Sequence, residues 1–313
     1  MKWKYSNMRD AFGKTLVELG RRFPQIVVLN ADLSSSTRTH YFEKEFPERF
    51  WNVGVAEQNM MGIAAGLATT GKIVFASTFA MFATGRAYDQ IRQSIAYPRL
   101  NVKIVASHAG ITVGGDGASH QMHEDIALMR VLPHMTVIVP ADFFETRSVI
   151  SKIVEMGGPA YVRMARTDTP EIYNENYEFK IGVGDLLKEG DDVTIIAMGL
   201  MLSKAIEAAE TLGREGVSCR VINMSTVKPI DEKAIEKAAR ETGAIVTAEE
   251  HNVLMGMGSA VVEVVAEKYP VPVRRIGIPD VFGESGESEE LMEAYGLTTE
   301  NIVQQVKAIL ANR

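Results

Sequence analysis

KIVFASTFAMFATGRAYDQIRQSIAYPRLNVKIVAS, residues 72–107, decides the fold. It opens and closes on short apolar runs of strand length, Lys72–Ser77 and Asn101–Ser107. Between them Phe79–Ala96 carries Ala80, Ala87, Ile91 and Ile95, with Tyr88, at helical spacing. Two strands joined by such a helix run parallel, because the helix must carry the chain back to the same edge before the next strand begins. Outward from this unit the alternation continues. Strands are expected at Gln25–Asn30, Met135–Val139 and Ala160–Met164, and helices at Met8–Arg22, Ala56–Ala68, Glu124–Val131 and Phe143–Met156. The class is α/β, a doubly wound and mainly parallel sheet.

A second alternation follows. Its expected strands are Val193–Met198, Ser218–Asn223, Ala244–Ala248 and Val271–Ile278; its helices are Ser203–Glu215, Asp231–Glu241, Gly258–Glu267, Ser288–Tyr295 and Glu300–Ala311. Pro170 and the Asn, Glu and Gly residues of Asp168–Asp192 read as a boundary. Two domains are expected, 1–175 and a smaller 191–313, joined by a linker at 176–190. The 313 residues suffice for both cores, and a formal charge of −7 argues against a dedicated nucleic-acid binder. No segment has the apolar length of a membrane span, and the first ten residues lack the apolar centre of a signal peptide. Cys219 is the only cysteine, which removes any disulfide framework or cysteine metal cluster. A cytoplasmic setting is expected.

Glu57 stands out. On a helix from Ala56 to Ala68 its neighbours at three- and four-residue spacing are Val53, Gly54, Met60 and Met61, with Ala64 one turn further on the same face, none of them polar. A carboxyl group in an apolar wall tends to hold or share a proton, the state an acid needs to hydrogen-bond a bound base. An ordinary first-turn glutamate favoured by the helix dipole is the other reading.

Ligands of doubly wound sheets bind at the carboxyl ends of the strands. Asp32 and Ser34–Ser36 follow the first strand, Phe79 and Phe82 follow Lys72–Ser77, His108, Asp116 and His120 follow Asn101–Ser107, and Arg166 follows Ala160–Met164. Polar loops are common in any fold, so convergence is the expectation to test. In the loop Ser107–Gln121 the glycines permit close approach to a ligand, and the histidines and aspartate suit a polyhydroxy or phosphorylated one. Phe79 and Phe82 fall opposite the core stripe of their helix, with Arg86, Gln90 and Gln93, as a wall for a flat ligand or a packing surface. His120, His123, Glu124 and Asp125 lack the His-Glu-x-x-His order of a metal helix, and Gly115-Asp116-Gly117 is followed by no asparagine before Phe143, so no metal site is expected in this chain. The run Glu249-Glu250-His251 and Gly256 and Gly258 are read as structural, perhaps an interface.

Five segments together resemble the thiamine diphosphate enzymes of the transketolase group: Ala31-Asp-Leu-Ser, Val53-Gly-Val-Ala-Glu57-Gln, Ser77-Thr-Phe79-Ala-Met-Phe82, His108 with Gly114-Gly-Asp116-Gly-Ala-Ser-His120-Gln, and Val162-Arg-Met-Ala-Arg166. They stand in family order and cover the pyrimidine-binding and C-terminal domains. The resemblance implies the C-terminal subunit of a split transketolase, transferring a two-carbon ketol unit between phosphorylated sugars. Its relatives include deoxyxylulose-phosphate synthase and the β subunit of 2-oxoacid dehydrogenases; a non-catalytic scaffolding protein is the alternative of another class. By resemblance Glu57 meets the aminopyrimidine ring nitrogen and favours the imino tautomer that generates the ylide. Phe79, Phe82 and Asp32 complete the cofactor contacts, and His120 lies near the reacting centre. Asp116 reads a sugar hydroxyl, and Arg9, Ser36, His108 and Arg166 hold the phosphate. Gly85 departs from the pattern where transketolases often add an aromatic. The implied partner is an N-terminal subunit that carries the diphosphate-binding domain and its Mg2+, joined to a homodimer core as a heterotetramer.

Overall fold

A computed structural model describes residues 2–311. Among the described residues the larger sheet has seven strands, in the order Thr226–Lys228, Thr136–Ile138, Ala160–Arg163, Val102–Ala106, Ile73–Ser77, Ile26–Asn30 and Phe50–Asn52. Six are parallel and Thr226–Lys228 is antiparallel at one edge. The smaller sheet runs Val273–Ile278, Ile245–Asn252, Val193–Ala197, Cys219–Asn223 and Asp185–Lys188, with only the last antiparallel. This is the two-domain α/β architecture expected.

The helices form for local reasons. Asn7 caps Met8–Arg22 by accepting from the Arg9 amide, and that helix buries Met8, Phe12, Leu16 and Leu19 at helical spacing. Asp142 caps Phe143–Glu155 through the Glu145 amide, and these two helices pack on the same face of the sheet over Val28, Phe75, Val105 and Val162. Glu57–Thr69 and the segment 81–96 cover the other face, in a core that continues without a break into Ile196, Ile222, Ala238 and Val261 of the second domain.

Several expectations need correction. The stretch 176–190 is not simply a linker, because Asp185–Lys188 pairs with Cys219–Asn223 and closes one edge of the second sheet. Thr226–Lys228, beyond the boundary, instead completes the first sheet beside Thr136–Ile138. Phe50–Asn52 and the pair Tyr5–Ser6 with Thr169–Pro170 are strands without a strand-length apolar run. Phe79–Ala96 is not one α-helix. Phe79 bridges to Ser107, Met81–Arg86 and Ile91–Ala96 are π-helical, and only Tyr88–Gln90 is α-helical. Wider π turns inside a helical stretch shift which side chains share a face, a feature frequent at functional sites.

Candidate active site

The connection after Ile26–Asn30 leads to Phe50–Asn52 on one side, and the connection after Ile73–Ser77 leads to Val102–Ala106 on the other. The carboxyl ends of these two neighbours therefore form the crevice where loops diverge. Glu57 opens its helix beside this crevice with 1% of its surface exposed, against Met60, Met61 and Ala64, which are fully buried. Its carboxylate has a partner that helix spacing could not reveal: Arg86 Nη1 donates to Glu57 Oε2 at 2.6 Å. The same guanidinium lies over the Phe82 ring, 4.5 Å from its centroid. One guanidinium thus bridges the buried carboxylate and an aromatic face.

From Phe82 a continuous set of rings leads outward. Phe79 stacks on Phe82 at 6.0 Å between centroids and on His108 at 3.8 Å, and His120 meets Phe82 edge-on at 5.2 Å. Phe79 is itself buried, between Phe82 and His108, instead of standing on a polar helix face. His108 takes a left-handed backbone (φ 56) and its Nδ1 meets Ser107 Oγ at 2.9 Å. Burial first, then the charges of Arg9 and Arg166, push its pKa down to about 3, so the ring is neutral near pH 7. His120 is held by Ser119 Oγ at Nδ1, 2.9 Å, which leaves Nε2 for another partner.

Arg9, Asp116 and Arg166 share a cavity of about 440 Å3 that also includes Asp168. Arg9 is oriented by Asn7 Oδ1 at 3.1 Å and by the Ser36 carbonyl at 3.1 Å, and burial lowers its pKa. The Ser36 contact is made through its backbone, so only the peptide oxygen is tied to the cavity. Arg166 donates to the Val113 carbonyl and stands 3.9 Å from Asp116 Oδ2. Asp32 follows its strand with φ 62, and its carboxylate accepts from Asn52 Nδ2 at 3.1 Å; nothing in the hydrogen-bond pattern joins it to Glu57. A cavity of about 650 Å3 lies elsewhere, between Arg130, Lys228 and Glu263, and contains none of these residues. Among the described residues no group of three or more His, Cys, Asp or Glu could hold a metal ion.

The second domain supports this site from beneath. Glu249 accepts from the amides of Met257 and Gly258 at 2.7 and 2.8 Å and so caps the helix Met257–Lys268. Burial still pushes its pKa up to about 7. Glu250 Oε1 accepts from the Thr112 amide at 2.8 Å, in the loop that carries Asp116, and its carbonyl accepts from Arg163 Nη2 at 2.8 Å. His251 Nδ1 lies 2.7 Å from the Asn252 carbonyl, and Nε2 accepts from the Ala127 amide, a pattern for the neutral ring; burial lowers its pKa to about 4. These contacts tie the run to the first domain of the same chain. Sequence reasoning missed Arg86, Asn7 and Glu250 as partners of the site. Only Arg86 had left a signal, since it shares a helical face with Phe82.

The chain matches two family models: transketolase, pyrimidine binding domain, over residues 4–171, and transketolase, C-terminal domain, over residues 182–302. A putative transketolase C-terminal section of Methanocaldococcus jannaschii is 55% identical over 305 residues, covering 96% of each chain. A 6-deoxy-6-sulfo-D-fructose transketolase subunit of a Clostridium species is 45% identical and covers 95% of this chain and 92% of that protein. A solved structure described as a split gene transketolase, inactive beta4 tetramer, superposes with a TM-score of 0.92 at 56% identity, covering 97% of this chain and 98% of that one. With these matches spanning nearly all its length and both its domains, the chain belongs to the transketolase family.

Proposed function

We propose that this chain is the C-terminal subunit of a transketolase that moves a two-carbon ketol unit between phosphorylated sugars, in the cytoplasm and together with an N-terminal subunit. The observation that carries the reading is a buried carboxylate, Glu57, joined through Arg86 to the face of Phe82, with His108 of the same ring set close enough to feel the charges of Arg9 and Arg166. This arrangement suits the pyrimidine of thiamine diphosphate. A flat nitrogen-bearing group, the Arg86 guanidinium, already rests on Phe82 within hydrogen-bond reach of Glu57, and an aminopyrimidine offers a flat face together with a ring nitrogen that accepts from a protonated carboxyl. When bound, thiamine diphosphate supplies a stabilised carbanion for breaking and making carbon–carbon bonds. Glu57, Phe79, Phe82 and Asp32 are the residues that would hold it, and the diphosphate with its Mg2+ falls to the partner.

The chain's own groups then have distinct tasks. Glu57 would take up a proton from solvent as Arg86 releases Oε2, and the protonated oxygen would then donate to the ring nitrogen. His120 Nε2 would pass a proton to or from a substrate oxygen. Asp116 accepts a sugar hydroxyl. Arg9 and Arg166 supply the charge for the phosphate, while neutral His108 adds a hydrogen bond and Ser36 holds Arg9 in place. The split-gene neighbour and the C-terminal section among the relatives support a partner subunit and oligomerisation, and the heterotetramer is the assembly proposed on that ground.

The test is a coupled assay with xylulose 5-phosphate and ribose 5-phosphate on the reconstituted complex. Arg166→Ala should raise the KM for phosphorylated sugars about tenfold or more, the worth of one charge-assisted hydrogen bond. Unphosphorylated analogues should change little. An equal loss for both would remove Arg166 from phosphate recognition.

A further inference from the structure

The cavity that holds Arg9 and Arg166 has a third wall, made by Gly286, Glu287 and Ser288 of the second domain. That segment is pinned at both ends. Gln121 Nε2 donates to the Glu284 carbonyl at 2.8 Å, and Ser288 Oγ donates to the Thr112 carbonyl at 2.8 Å. The loop glycines accept this seating. Gly114 and Gly117 both have positive φ, and a Cβ on Gly117 would come within 2.5 Å of Ser285 Oγ, while one on Gly114 would meet the Gly286 carbonyl at 3.2 Å. Part of the close approach that these glycines permit is therefore to the second domain. Between the two pins Glu287 is exposed. Its side chain caps no helix amide and, among the described residues, pairs with no cation.

We propose that Glu287 is a specificity-determining residue that sets how much negative charge the cavity accepts at the far end of a sugar. The inference rests on the reading that Arg9 and Arg166 hold that end. Both guanidiniums are already partly engaged, Arg9 by Asn7 and Ser36 and Arg166 by Val113 and Asp116, while Asp168 and Glu287 add negative charge to the same space. An opposing carboxylate acts in proportion to the charge it meets. A phosphate dianion is thus held back about twice as strongly, in free energy, as a sulfonate monoanion, and a neutral hydroxymethyl end is not held back. The second domain, through a segment it lends to the first, becomes the element that ranks these substrates.

The test is equilibrium calorimetry on the complex assembled with its N-terminal subunit, with an aldose and no ketose donor, so that no turnover occurs. Three probes are ribose 5-phosphate, its 5-sulfonate analogue and ribose, each against wild type, Glu287→Gln and Arg166→Ala. Glu287→Gln should tighten the phosphate about three- to tenfold, and the sulfonate by about the square root of that factor. Ribose should be unchanged, and added salt should shrink both effects. No change for the phosphate, or one equal factor for all three probes, would overturn the role of Glu287 while Arg166→Ala still weakens the phosphate selectively. If Arg166→Ala weakens ribose and its phosphate alike, the distal-phosphate reading itself fails.

Discussion

Glu57 is buried to 1% exposure, whereas its partner Arg86 keeps 45% of its side chain in solvent. Such a pair is asymmetric. Removing the arginine strands a desolvated carboxylate, while removing the carboxylate merely returns the arginine to water. Arg86→Ala should therefore destabilise the isolated chain by about 1–2 kcal/mol, discounted from a fully buried pair because the guanidinium is half exposed. Added to Glu57→Gln, the same change should cost close to nothing. A double-mutant cycle by denaturant unfolding checks this, and additive effects would mean that the two side chains do not interact in solution.

The helix Phe143–Glu155 and the strand Cys219–Asn223 meet through Glu145, which is fully buried. Its carboxylate accepts from the Ala141 amide at 2.6 Å, from Asn223 Nδ2 at 3.0 Å and from Ser225 Oγ. Burial outweighs these bonds and raises its pKa from 4.5 to about 7. The folded chain therefore keeps a proton that the unfolded chain releases across that window, so this group's contribution to stability falls as pH rises and levels off above about 7. Buried Glu249 acts in the same sense, whereas His108 and His251, with lowered values, act in the opposite one. Only a difference measurement isolates Glu145. Glu145→Gln should gain on wild type by about 2 kcal/mol between pH 5 and pH 8. Parallel profiles in thermal unfolding at several pH values would contradict it.

At this scale the sequence was most readable where elements are long and periodic. Met8–Arg22 is found as expected, and Ile26–Asn30, Ile73–Ser77 and Val102–Ala106 lie inside the predicted strands, because apolar spacing records burial directly. Phe50–Asn52, Asp185–Lys188 and Thr226–Lys228 were not readable. They are short edge strands of three or four residues, held by backbone pairing that leaves little trace in side-chain type. The π turns escaped for a related reason, since hydrogen-bond register is not written in composition. The burial of Glu57 was legible from its apolar neighbours, but Arg86 lies 29 residues away and Glu250 reaches Thr112 across 138. Contacts of that range are products of topology.

On the scale of the whole molecule, two domains share one continuous core, and the second reaches into the loop and the cavity of the first. Under the proposed function the chain contributes the pyrimidine half of a cofactor site and leaves the diphosphate and its metal to the N-terminal subunit. The most direct measurement is hydrogen–deuterium exchange at C2 of thiamine diphosphate, followed by proton NMR with magnesium. It compares this chain alone, the N-terminal subunit alone, both together, and both with Glu57→Gln. Fast exchange is predicted only when the two wild-type subunits are combined, with a loss of about a hundredfold or more in the variant, the usual scale of acid–base assistance. Fast exchange by this chain alone, or at the wild-type rate with Glu57→Gln, would contradict the account.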